Sequence, residues 1–351
     1  MDRAHRARDA GLACGDLPPG TFNSIADVPG VKVGHRTIND GDIRTGVTAI
    51  IPHGGNLYRQ KPVAAAHVLN GFGKSAGLMQ VEELGALETP ILLTNTLSVG
   101  TCCTALVRHA ILSNPDIGRE TSTVNPVVLE CNDGYLNDIQ ALVVAEDDAR
   151  AALDIASSDV AVGSVGAGCG MSTFGFKGGV GTASRRLEID GRSFHLGVLV
   201  LSNFGRPGDL RLPDGRVIAP VISLPDRDRT EKGSIIVVAA TDIPLSDRQL
   251  TRILRRSGVG LARLGSFWGH GSGDIAIGFT TGNILSHDET ADLVAIRILN
   301  EQRIDLLFQA MADTTQEAVL DALVAAGSMT GRSGHHRPGL LDTLATPSPG
   351  T

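Results

Sequence analysis

The apolar runs of this chain are all of strand length, and that most limits what it can fold into. Residues 47–51 (VTAII, ended by Pro52), 91–94, 127–130 and 196–201 read as strands, and 234–241 (SIIVVAAT) is β-branched and apolar through its middle. Residues 274–279 alternate, with Ile275, Ile277 and Phe279 on one side. Helix-period segments lie between them: 78–88, stopped before Pro90; 104–112, with Leu106, Val107, Ala110 and Ile111 on one side; the Ala-rich 147–156; a face marked by Leu250, Ile253 and Leu254; and 313–326. Ser286 followed by Glu289 is a capping box, which predicts a helix carrying Leu293, Ile296 and Leu299. The 43 glycines supply tight turns and close backbone approaches. Strands mixed with helices throughout 351 residues predict a layered α/β or α+β domain. Residues 1–20 are polar and read as a flexible lead-in. From Thr330 the composition shifts to Gly, Pro, His and Thr, so residues 331–351 read as largely tail, disordered beyond about Leu344.

Charge and composition exclude several classes of function. With 31 basic and 38 acidic side chains, the net charge is −7, and no basic face for nucleic acid is expected. No apolar run approaches the ~18 residues that span a bilayer, so no membrane partner is expected. The N-terminus lacks the apolar core of a signal peptide, and Leu12-Ala13-Cys14, which looks like a lipoprotein cleavage site, has no apolar stretch before it. Five cysteines, an odd number without CxxC spacing, predict a reduced, cytoplasmic protein. His35, His53, His67 and His109 have no i, i+4 partner, and neither a metal nor an organic cofactor is expected. The glycine clusters at 166–170 and 178–181 do not open a periodic helix, so they predict tight loops around a buried site rather than a nucleotide site. The GxSxG string at 73–77 lacks the strong strand that a nucleophile elbow requires.

The start of the 234–241 run carries more. Gly233 precedes Ser234 at the mouth of a buried strand, and a glycine there can take backbone angles closed to other residues. A serine hydroxyl so placed can attack its own preceding carbonyl, and hydrolysis of the resulting ester leaves Ser234 as a new N-terminus. A serine hydroxyl needs a neighbouring base. A free α-amine, with an ordinary pKa of ~7.7–8.0, is such a base on the same residue. Gly-Ser before a strand is also common in proteins without this chemistry.

Several strings together resemble the DmpA-like L-aminopeptidase/D-esterase family, which includes the β-peptidyl aminopeptidases. They are 233–242 (GSIIVVAATD), 133–138 (DGYLND), 202–205 (SNFG), 271–274 (GSGD), 48–50 (TAI), 95–101 (NTLSVGT) and 178–185 (GGVGTASR), in family order over about residues 27–332. The resemblance implies an αββα sandwich, two stacked sheets between helix layers, as one catalytic domain over about residues 21–330. It implies self-cleavage between Gly233 and Ser234 into pieces that stay associated. Ser234 would be the nucleophile and its freed amine the base. Asn203 would donate to the oxyanion, and Tyr135 would assist. Ser272 and Asp274 would hold the amine, and Asp274 would also pair with the substrate ammonium. Family members carry Glu where this chain has Asp274, one methylene shorter. Read alone, Tyr135 also suits a core tyrosine, Asn203 a turn cap, and Ser272 and Asp274 turn residues. The implied activity is release of N-terminal residues from small peptides, amides or esters through an acyl-enzyme, by a homo-oligomer of tetramer size or larger. An acyltransferase of related architecture, which would use Thr as its nucleophile, and a non-catalytic binding protein are the competing readings. The loops at Phe267-Trp268 and Phe174–Phe176 are candidate pocket walls, with Trp268 touching substrate.

Overall fold

The computed structural model describes residues 5–220 and 232–344. Nine strands build two sheets. They are β1 (Lys32–Asp40), β2 (Ile43–Ile51), β3 (Gln60–Gly71), β4 (Ile91–Asn95), β5 (Val127–Cys131), β6 (Gly179–Ile189), β7 (Arg192–Asn203), β8 (Lys232–Thr241) and β9 (Gly271–Ser286). The four-stranded sheet has the order β1-β2-β4-β5, and the five-stranded sheet the order β3-β9-β8-β7-β6. β8 is the middle strand of the larger sheet, parallel to β9 and antiparallel to β7. The helices are α1 (Leu78–Leu84), α2 (Val99–Ser113), α3 (Glu146–Asp154), α4 (Asp247–Leu254), α5 (Ser257–Arg263), α6 (Ile304–Ala325) and α7 (Leu340–Leu344).

Alternation along the strands divides the core into layers. Ile91, Leu93, Val127 and Leu129 face Ile236, Val238, Ile275 and Ile277 between the sheets. Ala49, Leu92 and Val128 point the other way, onto Leu106 of α2 and Ala152 of α3. Val237, Ala239 and Ala276 point out of the larger sheet onto Leu250, Leu261 and Leu320 of α4, α5 and α6. The result is the expected αββα sandwich, an α+β fold. It explains the unbroken apolar runs: a strand covered on both faces has no polar side.

Three expectations need correction. Residues 5–20 are not a loose lead-in. Ala7, Leu12 and Cys14 are buried, Arg6 pairs with Asp321 at 2.7 Å, and Arg8 pairs with Glu317 at 2.7 Å. Glu317 also holds the fully buried Arg185 at 2.8 Å. These N-terminal cations read as solvated only because their partners lie some three hundred residues away on α6.

At the other end, residues 331–344 return to the body. Met329 and Thr330 pair with Arg337 and His336, and Leu340 of α7 is buried. The expected disorder past Leu344 lies outside the described residues.

The helix expected after Ser286 is absent. β9 runs through Ser286, so the capping residue is used in a strand, and the Glu289 carboxylate instead accepts the N–H groups of Thr290 and Ala291. Residues 291–298 run irregularly over the surface with Leu293 91% exposed and Val294, Ile296 and Ile298 exposed around it.

Candidate active site

The C-terminal ends of β3, β5 and β7 meet the N-terminal ends of β8 and β9 at one end of the sandwich, around a cleft of about 560 Å³. Ser234 and Gly233 form its floor. Glu130, Asn132, Tyr135, Ser172, Asn203 and Arg337 are among its walls.

Ser234 is buried, and its hydroxyl donates to the carbonyl oxygen of Gly233 at 2.6 Å. Gly233 has φ +124°, and a Cβ on it would lie 2.1 Å from the Asn203 carbonyl oxygen. Only glycine fits, both in backbone angle and in space. The neighbouring position on β9, opposite Ser234, is Gly273, where a Cβ would crowd the hydroxyl at 3.2 Å. Strand pairing therefore presses a serine hydroxyl onto the peptide bond behind it.

Asn203, directly across from Ser234 on β7, is clamped. Its Oδ1 accepts the Ser172 N–H at 2.8 Å and its Nδ2 donates to the Asn132 carbonyl at 2.9 Å. The clamp fixes which end of the amide is nitrogen, and a primary amide has a second N–H to offer. Tyr135 lies on the far wall, partly exposed, with His335 stacked on one side (centroids 4.7 Å apart) and the Arg337 guanidinium 3.6 Å from its ring centre.

Ser272 and Asp274 are placed differently from Ser234. In register they flank the cleavage position, Ser272 beside Gly233 and Asp274 beside Ile235. Both are fully buried and neither lines the cleft. Ser234 shares its face of the sheet with Ile236 and Val238, whereas Ser272 and Asp274 share theirs with Ala276, on the helix side. The Ser272 hydroxyl donates to Asp274 Oδ1 at 2.7 Å. The pair lies beside the backbone at 233–235, and Asp274, expected to meet a substrate ammonium, is not among the residues lining the cleft.

The carboxylate that does face the cleft is Glu130. It is buried, accepts the Lys74 N–H at 2.8 Å through Oε1 and takes the Thr96 hydroxyl through Oε2. The sequence signal for it was a charge closing an otherwise apolar strand run. Trp268 is also corrected: it does not line the cleft, because its ring packs against Gly258 of α5 and Leu69. Phe174 and Phe176 are fully buried, Phe174 edge-on to Phe204 at 5.1 Å, so they support the cleft rather than line it. Beneath the Asn132–Tyr135 turn, burial lifts the Asp133 carboxyl to about 7 and lowers the Lys177 ammonium to about 7. Lys177 Nζ donates to the carbonyls of Gly168 (3.0 Å) and Gly178 (2.7 Å), tying down the glycine loops behind Ser172. Among the described residues no cluster of His, Cys, Asp and Glu suits a metal.

Residues 23–337 match Peptidase family S58. The chain belongs to that family. It is 38% identical over 356 residues to the beta-peptidyl aminopeptidase BapA of Sphingosinicella microcystinivorans, covering 94% of this chain and 88% of that one. Among solved structures it superposes on a beta-aminopeptidase from Burkholderia sp. with a TM-score of 0.87 and 41% identity, covering 97% and 98% of the two chains. It also superposes on the L-aminopeptidase D-Ala-esterase/amidase of Ochrobactrum anthropi, described as a variant of the Ntn hydrolase fold, with a TM-score of 0.87, 37% identity and 95% of each chain covered. As a family S58 member this chain is a hydrolase, a serine aminopeptidase of the N-terminal-nucleophile type.

Proposed function

We propose that the chain cuts itself between Gly233 and Ser234 and then releases N-terminal residues from small peptides, amides or esters. The observation that carries this is the 2.6 Å contact between the Ser234 hydroxyl and the Gly233 carbonyl, at a backbone position only glycine can occupy, on the floor of a cleft. Ser234 Oγ adds to the Gly233 carbonyl carbon, the C–N bond breaks, and the proton lost by Oγ goes to the departing amine. Water then hydrolyses the ester, leaving a Gly233 carboxylate and a free Ser234 amine. The pieces stay together because β8 is the covered central strand, and parting them would expose its apolar faces at ~25 cal/mol per Å2.

In turnover the Ser234 amine takes the Oγ proton as Oγ attacks the substrate carbonyl. The Asn203 Nδ2–H stabilises the oxyanion, with Tyr135 assisting from the far wall. The amine returns the proton to the leaving group, and water resolves the acyl-enzyme. Ser272, polarised by Asp274, holds the amine from the other face of the sheet. Glu130 pairs with the substrate ammonium, a role its cleft position supports and that of Asp274 does not. Replacing Ser234 with Ala tests the scheme: the expected outcome is an uncut, inactive chain, and retained peptide release would refute it.

The same reading takes the enzyme to be a homo-oligomer working in the cytoplasm. The exposed apolar run around Leu293 supports association, and free cysteines at 14, 102, 103, 131 and 169 suit a reducing compartment.

A further inference from the structure

The cleft carries opposite charges on opposite sides of the nucleophile. Glu130 lies on the β9–β3 side, where its Oε1 sits 3.4 Å from a Cβ built on Gly73, just past the end of β3. Arg337 lies on the β7–β6 side: the next residue, Pro338, accepts the N–H of Lys177, immediately before β6, and Gly205 and Pro207, which follow β7, line the same wall. The roof runs between them in chain order, from Glu130 through Asn132, which receives the Asn203 amide, to Tyr135 beneath the Arg337 guanidinium. A substrate with its ammonium on Glu130 and its carbonyl at Ser234 and Asn203 therefore points its leaving group at Arg337.

Arg337 is held in place. Its backbone is fixed by pairing with Met329, its guanidinium carbon lies 3.6 Å from the Tyr135 ring centre, and it is half-buried. A planar fork held this way matches a carboxylate with two parallel hydrogen bonds. Lys74, the other cation lining the cleft among the described residues, is exposed at the rim with its ammonium 4.5 Å from the Phe72 ring centre, on the Glu130 side.

We propose that Arg337 binds the free carboxylate of the leaving residue, which makes dipeptides with an open C-terminus the preferred substrates. The inference rests on the aminopeptidase reading above and adds a substrate class to it. A two-residue chain spans about 7 Å at full extension, so its two termini are the groups best placed to meet two opposed charges at once.

The test compares alanyl-alanine with alanyl-alaninamide, and their β-alanyl counterparts, on the processed enzyme. The expected result is a kcat/KM for the acid about ten- to hundredfold above that for the amide, the range for a charge-assisted hydrogen bond to a fixed guanidinium. Arg337→Met should collapse that ratio towards one, mainly through KM, and Arg337→Lys should restore part of it. Self-cleavage of each variant reports whether it folds. Product inhibition needs no variant: alanine should inhibit wild-type hydrolysis of the amide more strongly than alaninamide does. The proposal is overturned by equal rates on acid and amide, by a preference that survives Arg337→Met, or by one lost in Lys74→Met instead. Wild-type enzyme that cleaves none of the four compounds would defeat the aminopeptidase reading itself, a result distinct from hydrolysis without preference.

Discussion

Asn203 and Ser172 are joined by a hydrogen bond from the Ser172 N–H to the Asn203 side-chain oxygen, 2.8 Å long, where the end of β7 meets the segment at 172–174, which is also tied to it by the Thr173 and Ser202 hydroxyls at 2.9 Å and by the Phe174 N–H on the Phe204 carbonyl at 2.8 Å. It sets the amide nitrogen towards Asn132 and the cleft. Asn203→Ala should lower kcat by about 10²–10³, the usual effect of losing one oxyanion donor. Ser172→Pro, which removes the N–H that orients the amide together with the Ser172 hydroxyl, should cost about tenfold. Equal rates for wild type and Asn203→Ala in steady-state assays would remove Asn203 from the mechanism.

Glu130→Gln keeps the shape of the side chain and the oxygen that accepts the Lys74 N–H, turns the Thr96 hydroxyl from donor to acceptor, and removes the charge. The expected loss in kcat/KM is about ten- to hundredfold, carried by KM, because the lost interaction is a charged pair with the substrate ammonium. N-acetylated substrates, which lack that ammonium, should bind wild type poorly and gain nothing from the substitution. The same experiment on Asp274→Asn should instead impair self-cleavage, since Asp274 lies beside Ile235 and accepts the hydroxyl of Ser272, which lies beside Gly233.

His35 gives a pH dependence of stability. It is partly buried between Thr48, which its Nδ1 meets at 2.9 Å, and the Gly166 turn, and the desolvation of its ring lowers its pKa from 6.5 to about 4. A folded state that prefers the neutral ring has its full contribution above pH 6.5 and loses it as pH falls towards 4. The contribution is about 3 kcal/mol. Denaturant unfolding at pH 7 and pH 4 should show a drop in wild type that is smaller in His35→Gln; identical pH slopes would contradict this.

The exposed run at 291–298 predicts association through that surface. Leu293→Glu should shift the native mass measured by light scattering to a smaller species while leaving the Ser234 cleft, at the other end of β9, intact. A wild-type monomer would contradict the oligomer.

How much of this was legible in the sequence follows from the range of each interaction. Strands such as β8 were readable because a run apolar at every position has one explanation, cover on both faces. The Ser286–Glu289 pattern misled because capping is local, and the continuation of β9 beside β3 overrode it. The N-terminal arginines and Arg337 were missed because their partners are distant in sequence, on α6 and on Tyr135. Choosing between Glu130 and Asp274 needed strand register, since a shift of one residue turns a side chain from cleft to core. Ser234, Asn203 and Tyr135, which line one cleft, could be grouped from the sequence because their strings resemble a family, and no spacing rule would have joined them.

Intact-mass spectrometry of the purified protein under denaturing conditions, with sequencing of every N-terminus, tests the central claim most directly. The account predicts two chains that co-purify when native, one of them beginning at Ser234, and a single uncut chain for Ser234→Ala. A folded wild-type protein of 36.6 kDa with no N-terminus at Ser234 would contradict it.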